Sequence, residues 1–100
     1  MRVQDSYHVD GIEFDGWDGT TLIEAKGPRW DALLNEDWAT RARDEIVEQA
    51  HRQITAVRNT RPGTPIQWHF ADDGALEYVR NLQRQGLFPA DIDLIFTPNA

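Results

Sequence analysis

Two segments that suit β-strands flank the dipeptide Asp18–Gly19, and this pattern limits the fold more than any other feature of the sequence. Residues 7–17 alternate between apolar and polar side chains, as a strand with one buried face requires. Residues 20–26, TTLIEAK, are predicted to form the return strand, which Gly27 and Pro28 stop. Asp-Gly is a preferred dipeptide in two-residue hairpin turns. We therefore predict a β-hairpin that turns at Asp18 and Gly19.

The rest of the chain alternates between helical and strand periodicity. The predicted elements are a short helix at residues 31–34, a helix from about Thr40 to Val57, a strand over residues 65–71, a helix from Asp72 to near Gly86 and a strand from Ile92. A helix before each of the last two strands favours an α/β fold. We predict a mixed sheet of about four strands, in the order β-hairpin, helix, strand, helix, strand, flanked by helices.

Composition excludes several kinds of site. The 100 residues fit one domain, and the absence of cysteine excludes disulfides, thiolate zinc sites and cysteine nucleophiles. No apolar run approaches the roughly 20 residues of a membrane-spanning helix. Seventeen acidic and ten basic residues give a net charge of −7, which argues against nucleic-acid binding by charge alone.

The predicted hairpin collects charged residues on one face. A two-residue turn would place Glu13 opposite Glu24, and cross-strand partners share a face. One face then holds Ile12, Phe14, Ile23 and Ala25 and is the expected core face, whereas the other holds Glu13, Asp15, Trp17, Leu22, Glu24 and Lys26. Lys26 is the only lysine in the chain. This charged face is either a solvated sheet surface or a functional site.

Three properties favour the site. Opposed carboxylates repel each other unless a cation lies between them. Carboxylates on neighbouring strands are ligands that suit Mg²⁺ or Mn²⁺. A lysine on the same face could orient an attacking water molecule or stabilise charge that develops on a phosphate.

Asp15 followed by Glu24-Ala25-Lys26 resembles the D…(D/E)-x-K signature of restriction-endonuclease-like nucleases. The segments GIEFDGW, LIEAKGP, EQAHRQI, PIQWHFA and DLIFTP resemble, in that order, the restriction-endonuclease-fold toxin family called Tox-REase-5, over about residues 7–98. Members of that family resemble C-terminal nuclease domains of bacterial polymorphic toxins, including type VI secretion effectors. The resemblance implies a restriction-endonuclease-like core.

The resemblance also implies the roles of individual residues. Asp15 and Glu24 would be ligands of Mg²⁺ (or Mn²⁺), the backbone carbonyl of Ala25 would complete the protein's ligand set, and Lys26 would be the catalytic lysine. Gln49 and Gln53, four residues apart on the long helix, are candidates to support the site, as is Glu13 on the hairpin. Such domains usually begin with a helix that sometimes carries an acidic residue. Only about six residues precede the first predicted strand here, which puts a further ligand in doubt.

The function that the resemblance implies is a Mg-dependent endonuclease toxin, a hydrolase of phosphodiester bonds with DNA as the expected substrate. The single domain over residues 1–100 would be the C-terminal part of a larger effector. Secretion machinery or an adaptor would deliver it into the cytoplasm of a target bacterial cell, and a cognate immunity protein would hold it in the producer. The alternatives are an RNase and a non-catalytic protein-interaction domain with the same fold.

Other residue types give weaker hypotheses. His8, His51 and His69 have no paired ligand spacing, so we expect no zinc site, and His69 is expected to be a hydrogen-bonded structural residue. Trp68 is expected in the core, and local packing is favoured over base stacking for Trp17, Trp30 and Trp38. The arginines between positions 41 and 61 could contact phosphates or form salt bridges on a solvated helix.

Overall fold

Six strands and two helices form in residues 7–26 and 39–98, which are the residues that the structure, a computed structural model, describes. They are β1 (Tyr7–Val9), β2 (Ile12–Phe14), β3 (Gly16–Trp17), β4 (Leu22–Lys26), α1 (Ala39–Thr60), β5 (Ile66–Phe70), α2 (Asp73–Arg84) and β6 (Ile92–Phe96). The predicted short helix at residues 31–34 lies outside the described residues, as do Trp30 and Trp38. None of the described helices is both long enough and apolar enough to cross a membrane.

Strands β3, β4, β5 and β6 lie side by side in that order in one mixed sheet, and β1 and β2 form a separate two-stranded sheet. The β3–β4 pair is antiparallel, whereas β4–β5 and β5–β6 are parallel. The predicted fold class, an α/β domain with a mixed sheet of about four strands flanked by helices, is therefore confirmed, and it is compatible with a restriction-endonuclease-like fold.

Both helices pack on the same face of this sheet. Each helix joins two parallel strands, and the strand order advances in one direction, so right-handed crossovers place α1 and α2 on one side. One apolar core follows from this arrangement. It contains Leu22, Ile66, Trp68, Phe70 and Ile92 from the sheet, Ala42, Ile46, Ala50, Ala56 and Val57 from α1, and Ala75, Leu76, Val79 and Leu82 from α2.

The ends of α2 follow from local chemistry. The Asp72 side chain caps the first turn by accepting a hydrogen bond from the Gly74 backbone N–H. At the other end Gly86 has a φ of 80°, and the N–H groups of Gly86 and Leu87 bond to the carbonyls of Gln83 and Leu82. This is the Schellman pattern, in which a left-handed residue ends a helix, and glycine adopts that conformation without strain.

The prediction of one continuous first strand over residues 7–17 is wrong. Asp10 and Gly11 have φ values of 52° and 79°, the positive pair that a type I′ turn requires. They close a tight hairpin in which Tyr7 pairs with Phe14 and Val9 pairs with Ile12. The segment is therefore divided into β1, β2 and β3, with Asp15 at the bend between β2 and β3.

The predicted two-residue turn at Asp18 and Gly19 is also wrong. Trp17 pairs with Leu22, so residues 18–21 form a four-residue loop. The reason is the Asp18 carboxylate, whose Oδ1 accepts hydrogen bonds from the backbone N–H groups of Thr20 at 3.0 Å and Thr21 at 2.8 Å. The register of β4 against the preceding strand is therefore two positions away from the predicted one.

Candidate active site

Strand β4 presents Glu24 and Lys26 to helix α1, on the face that also carries Leu22. Their exposed fractions are 7% and 6%, whereas Ala25 between them points the other way and is exposed. The prediction that Ile23 and Ala25 form the core face of this strand is therefore wrong, although Phe14 of β2 is buried as predicted. The crossover places α1 over the charged side of β4, so the charged face lies inside the domain.

A closed triangle of polar contacts joins Glu24, Lys26 and Gln49. The Lys26 ammonium Nζ lies 3.0 Å from Glu24 Oε2 and donates a hydrogen bond of 2.7 Å to Gln49 Oε1. The Gln49 Nε2 group donates to Glu24 Oε2 at 2.9 Å. Because an amide oxygen only accepts and an amide nitrogen only donates, Gln49 fits between a cation and an anion in one orientation. The triangle compensates two buried charges that would otherwise be costly.

Gln53 extends this network toward the centre of the sheet. It is fully buried, its Nε2 donates to Glu24 Oε1 at 3.3 Å, and its Oε1 accepts from the indole Nε1 of Trp68 at 2.8 Å. Gln49 and Gln53 are four residues apart and so lie on one face of α1. The structure thus brings both predicted supporting glutamines to the carboxylate of Glu24.

Asp15 reaches the same strand from the bend between β2 and β3. Its Oδ2 accepts a hydrogen bond of 2.7 Å from the backbone N–H of Ala25. The backbone pairing of β3 with β4 ends at Gly16 and Ile23. Beyond that pair, the Asp15 side chain accepts the hydrogen bond that a backbone carbonyl of a longer β3 would accept. The carbonyl and the N–H of one strand residue point to the same edge, which directs the Ala25 carbonyl toward the side where Asp15 lies.

The electrostatics of the site centre on Glu24. Burial raises the pKa of Glu24 above its ordinary value, the Lys26 ammonium opposes this rise, and the Asp15 charge adds to it. Hydrogen bonds from Lys26 and Gln49 also favour the ionised form. Asp15 is bonded to the residue that follows Glu24, and a cation bound between the two carboxylates would relieve their repulsion.

The oxygen donors of this site fit a hard divalent ion. Asp15 and Glu24 supply carboxylates and Ala25 supplies a carbonyl, and Mg²⁺ is commonly bound by one or two carboxylates while it keeps several waters. In residues 7–26 and 39–98, no group of three or more His, Cys, Asp or Glu side chains is arranged to hold a metal ion.

Two of the residues considered earlier lie elsewhere. Glu13, predicted opposite Glu24, is exposed and pairs with His8 in the two-stranded sheet, because the Asp10–Gly11 turn takes β2 out of the main ladder. His69 lies on the sheet face opposite Trp68, with its ring nitrogens 2.9 Å from Thr97 Oγ1 and from Gln67 Oε1. It is hydrogen-bonded, as the sequence predicted.

Trp68 lies in the core, as predicted, and it also makes polar contacts that were not predicted from the sequence. Trp68 is fully buried, yet it bonds to Gln53, and its ring centroid lies 4.7 Å from Lys26 Nζ, a cation–π distance. A signal was available in the strand pattern. Parallel β4 and β5 place Trp68 beside Glu24 on the same face.

A mixed α/β sheet with an aspartate at a hairpin bend and Glu-Ala-Lys on the adjoining strand is compatible with the restriction-endonuclease-like class. The family described as restriction endonuclease fold toxin 5, Tox-REase-5, matches residues 1–73. The chain belongs to this family, which places it in general among nuclease toxins. The matched part includes Asp15, the Glu24–Lys26 segment, both glutamines and Trp68, and it differs in extent from the predicted 7–98. Searches of curated proteins and of solved structures found no match.

Proposed function

We propose that this protein is a metal-dependent endonuclease toxin that hydrolyses phosphodiester bonds of DNA. The observation that carries the proposal is the buried Glu24–Lys26 ion pair, bridged by Gln49 and lying beside Asp15. A buried ion pair is a weak source of stability, because removing two charges from water costs about as much as their attraction returns. A pair with two supporting amides at a sheet edge is better explained by chemistry than by stability.

Asp15, Glu24 and the Ala25 carbonyl are the groups that would hold Mg²⁺ or Mn²⁺. The ion, when bound, would polarise a phosphodiester oxygen and lower the pKa of a water molecule. The bond from the Ala25 N–H fixes Oδ2 of Asp15, which orients the other carboxylate oxygen. On Glu24, hydrogen bonds from Gln49 and Gln53 restrain both carboxylate oxygens.

Lys26 would supply a positive charge that stabilises the phosphate during the reaction. Glu24 and Gln49 hold its ammonium in one place, and its surroundings exclude most of the solvent. A preorganised cation in such surroundings stabilises the negative charge that develops on a phosphate more strongly than a solvated one. The same ammonium can orient an attacking water molecule by hydrogen bonding.

The biological setting that we propose follows from the toxin family. The single domain over residues 1–100 would act as the C-terminal part of a larger secreted effector, in the cytoplasm of a target bacterium. Secretion machinery or an adaptor would deliver it through the preceding part of the effector. A cognate immunity protein would restrain it in the producing cell, and the net charge of −7 favours an immunity protein with a basic surface.

Cleavage assays test this proposal. The purified protein is incubated with supercoiled plasmid, linear DNA and total RNA, in Mg²⁺ and in EDTA. We expect Mg²⁺-dependent cleavage of DNA, and a loss of at least about a hundredfold for Lys26→Met and for Asp15→Asn. Asp93→Asn is the matched control, because Asp93 is an exposed carboxylate on β6, two strands away from β4.

Each result separates the proposal from an alternative. Cleavage that survives in both site variants would overturn the mechanism. Degradation of RNA without DNA cleavage would replace the DNase by an RNase. A folded protein that cleaves neither nucleic acid at any Mg²⁺ or Mn²⁺ concentration would leave the non-catalytic interaction domain.

A further inference from the structure

Trp68 lies at the centre of β5, directly beside Glu24 in the parallel register. It packs against Phe88 with a ring-centroid distance of 5.2 Å and an edge-on geometry, so part of its surroundings is ordinary core. The Phe70 ring is also nearby, with a centroid distance of 6.3 Å, and the polar contacts of Trp68 are to the candidate site. The indole Nε1 bonds to Gln53, and the ring faces the Lys26 ammonium.

The indole N–H determines which way the Gln53 amide points. It can only donate, so it selects the carbonyl oxygen of Gln53 as its partner. The Nε2 group of Gln53 is thereby directed to Glu24 Oε1, at 3.3 Å. If the amide were reversed, its oxygen would face the carboxylate oxygen and no hydrogen bond would form between them.

We propose that Trp68 is a positioning residue, which orients the Glu24 carboxylate through Gln53. The inference deepens the proposed function and rests on it, because a carboxylate needs a fixed orientation when it serves a metal ion. Groups that orient a ligand from behind commonly change metal affinity or activity by about 10- to 100-fold when they are removed. The chain of contacts runs from the Trp68 N–H through the amide of Gln53 to Glu24 Oε1, entirely within the buried part of the domain.

Trp68→Phe tests the inference, because phenylalanine keeps an apolar ring facing Lys26 and removes only the N–H and part of the volume. The matched control is Phe88→Leu, which disturbs the edge-on packing of Trp68 and keeps its indole N–H. Both variants are assayed well below their unfolding temperatures. We expect Trp68→Phe to lower the Mn²⁺ affinity or kcat by about tenfold or more, and Phe88→Leu to leave both unchanged. Equal behaviour of the two variants would overturn the inference.

A double-mutant cycle with Gln53→Met separates positioning from packing. If Trp68 acts through Gln53, Trp68→Phe causes no further loss in the Gln53→Met background. The same fold-loss in both backgrounds would show that Trp68 acts independently of Gln53, and would contradict the inference.

A metal-free readout distinguishes a failure of this inference from a failure of the proposed function. In the wild type, the side-chain N–H protons of Gln53 should exchange slowly with D₂O, because the group is buried and bonded. Trp68→Phe should make this exchange faster than Phe88→Leu does. Wild-type protein that binds no metal and cleaves nothing would refute the nuclease, while unchanged Gln53 exchange in Trp68→Phe would refute the positioning.

Discussion

Replacing Lys26 by methionine should destabilise the fold by an amount that depends strongly on pH. Methionine is similar in length and keeps an apolar contact with Trp68, so the main change is the loss of the ammonium beside Glu24. The Glu24 side chain has an exposed fraction of 9%, and without its counter-ion it will take up a proton rather than remain charged. The cost of the substitution is therefore limited by the cost of protonation.

That limit can be worked out from the ordinary pKa of glutamate, 4.5. Protonating such a group costs about 3.4 kcal/mol at pH 7 and about 0.7 kcal/mol at pH 5. Loss of the buried cation–π contact, worth about 2 kcal/mol and offset by the sulfur–aromatic contact of methionine, adds a net of about 0.5–1 kcal/mol at both pH values. These are upper limits, because burial already raises the folded pKa of Glu24 in the wild type.

The sign follows from linkage. A raised folded pKa means that the folded state binds the proton more tightly than the unfolded state does. The contribution of Glu24 to stability is therefore fully present below about pH 4.5 and declines as the pH rises through the folded pKa. Lys26→Met raises that folded pKa further, so the decline continues to higher pH.

Urea unfolding, followed by tryptophan fluorescence, measures the free energy of unfolding at pH 7 and at pH 5. We expect Lys26→Met to lose about 2–4 kcal/mol at pH 7 and about 1 kcal/mol at pH 5. In a Glu24→Gln background, which serves as the control, the effect of Lys26→Met should not depend on pH. A loss of the same size at both pH values in the otherwise wild-type chain would refute the reasoning.

Two further variants test other parts of the structure. Asp15→Asn should lower the pKa of Glu24 in the metal-free protein, because the substitution removes a negative charge that raises this pKa. Carboxyl ¹³C NMR titration measures the pKa of Glu24. An unchanged pKa would show that the two groups do not interact. Gly86→Ala should reduce the free energy of unfolding by about 1 kcal/mol, because φ is 80° at that position. Urea unfolding measures this loss, and Gln85→Ala is the control, because Gln85 has a φ of −84° that alanine adopts without strain. Equal losses in the two variants would contradict the assigned helix end.

The elements with long, regular patterns could be predicted from the sequence. The helix predicted from about Thr40 to Val57 forms over Ala39–Thr60, and the strand predicted over residues 65–71 forms over Ile66–Phe70. Asp72 and Gly86 mark the two ends of α2 by local hydrogen bonding and by a positive φ, which are properties of single residues. Such signals act locally and do not depend on the rest of the fold.

The hairpin register could not be predicted, because Asp-Gly occurs three times within residues 10–19 and local preference does not choose among the three positions. Asp10–Gly11 forms the tight turn, whereas the Asp18 carboxylate binds backbone N–H groups and opens its loop to four residues. The predicted and observed registers differ by two, and side chains alternate with a period of two. Trp17, which pairs with Leu22, is therefore still on the face that carries Glu24 and Lys26, as it is in the predicted register.

The burial of that face required tertiary information. Alternation indicates that two faces exist, but the side on which α1 packs decides which of them is covered. The handedness of the β4–α1–β5 crossover makes that choice, and it places Gln49 and Gln53 over Glu24. The family resemblance suggested these glutamines as candidates, and helical spacing placed them on one face, but their hydrogen-bond partners could not be predicted from the sequence.

Paramagnetic NMR with Mn²⁺ tests most directly the claim that Asp15, Glu24 and Ala25 hold a divalent ion. Substoichiometric Mn²⁺ broadens the backbone amide signals nearest to the site that it occupies. We predict that the signals of residues 15–17 and 24–26 disappear first, that excess Mg²⁺ restores them, and that Asp15→Asn abolishes the effect while Asp93→Asn does not. Broadening that begins around Asp72 and Asp73, or that persists unchanged in Asp15→Asn, would contradict the account.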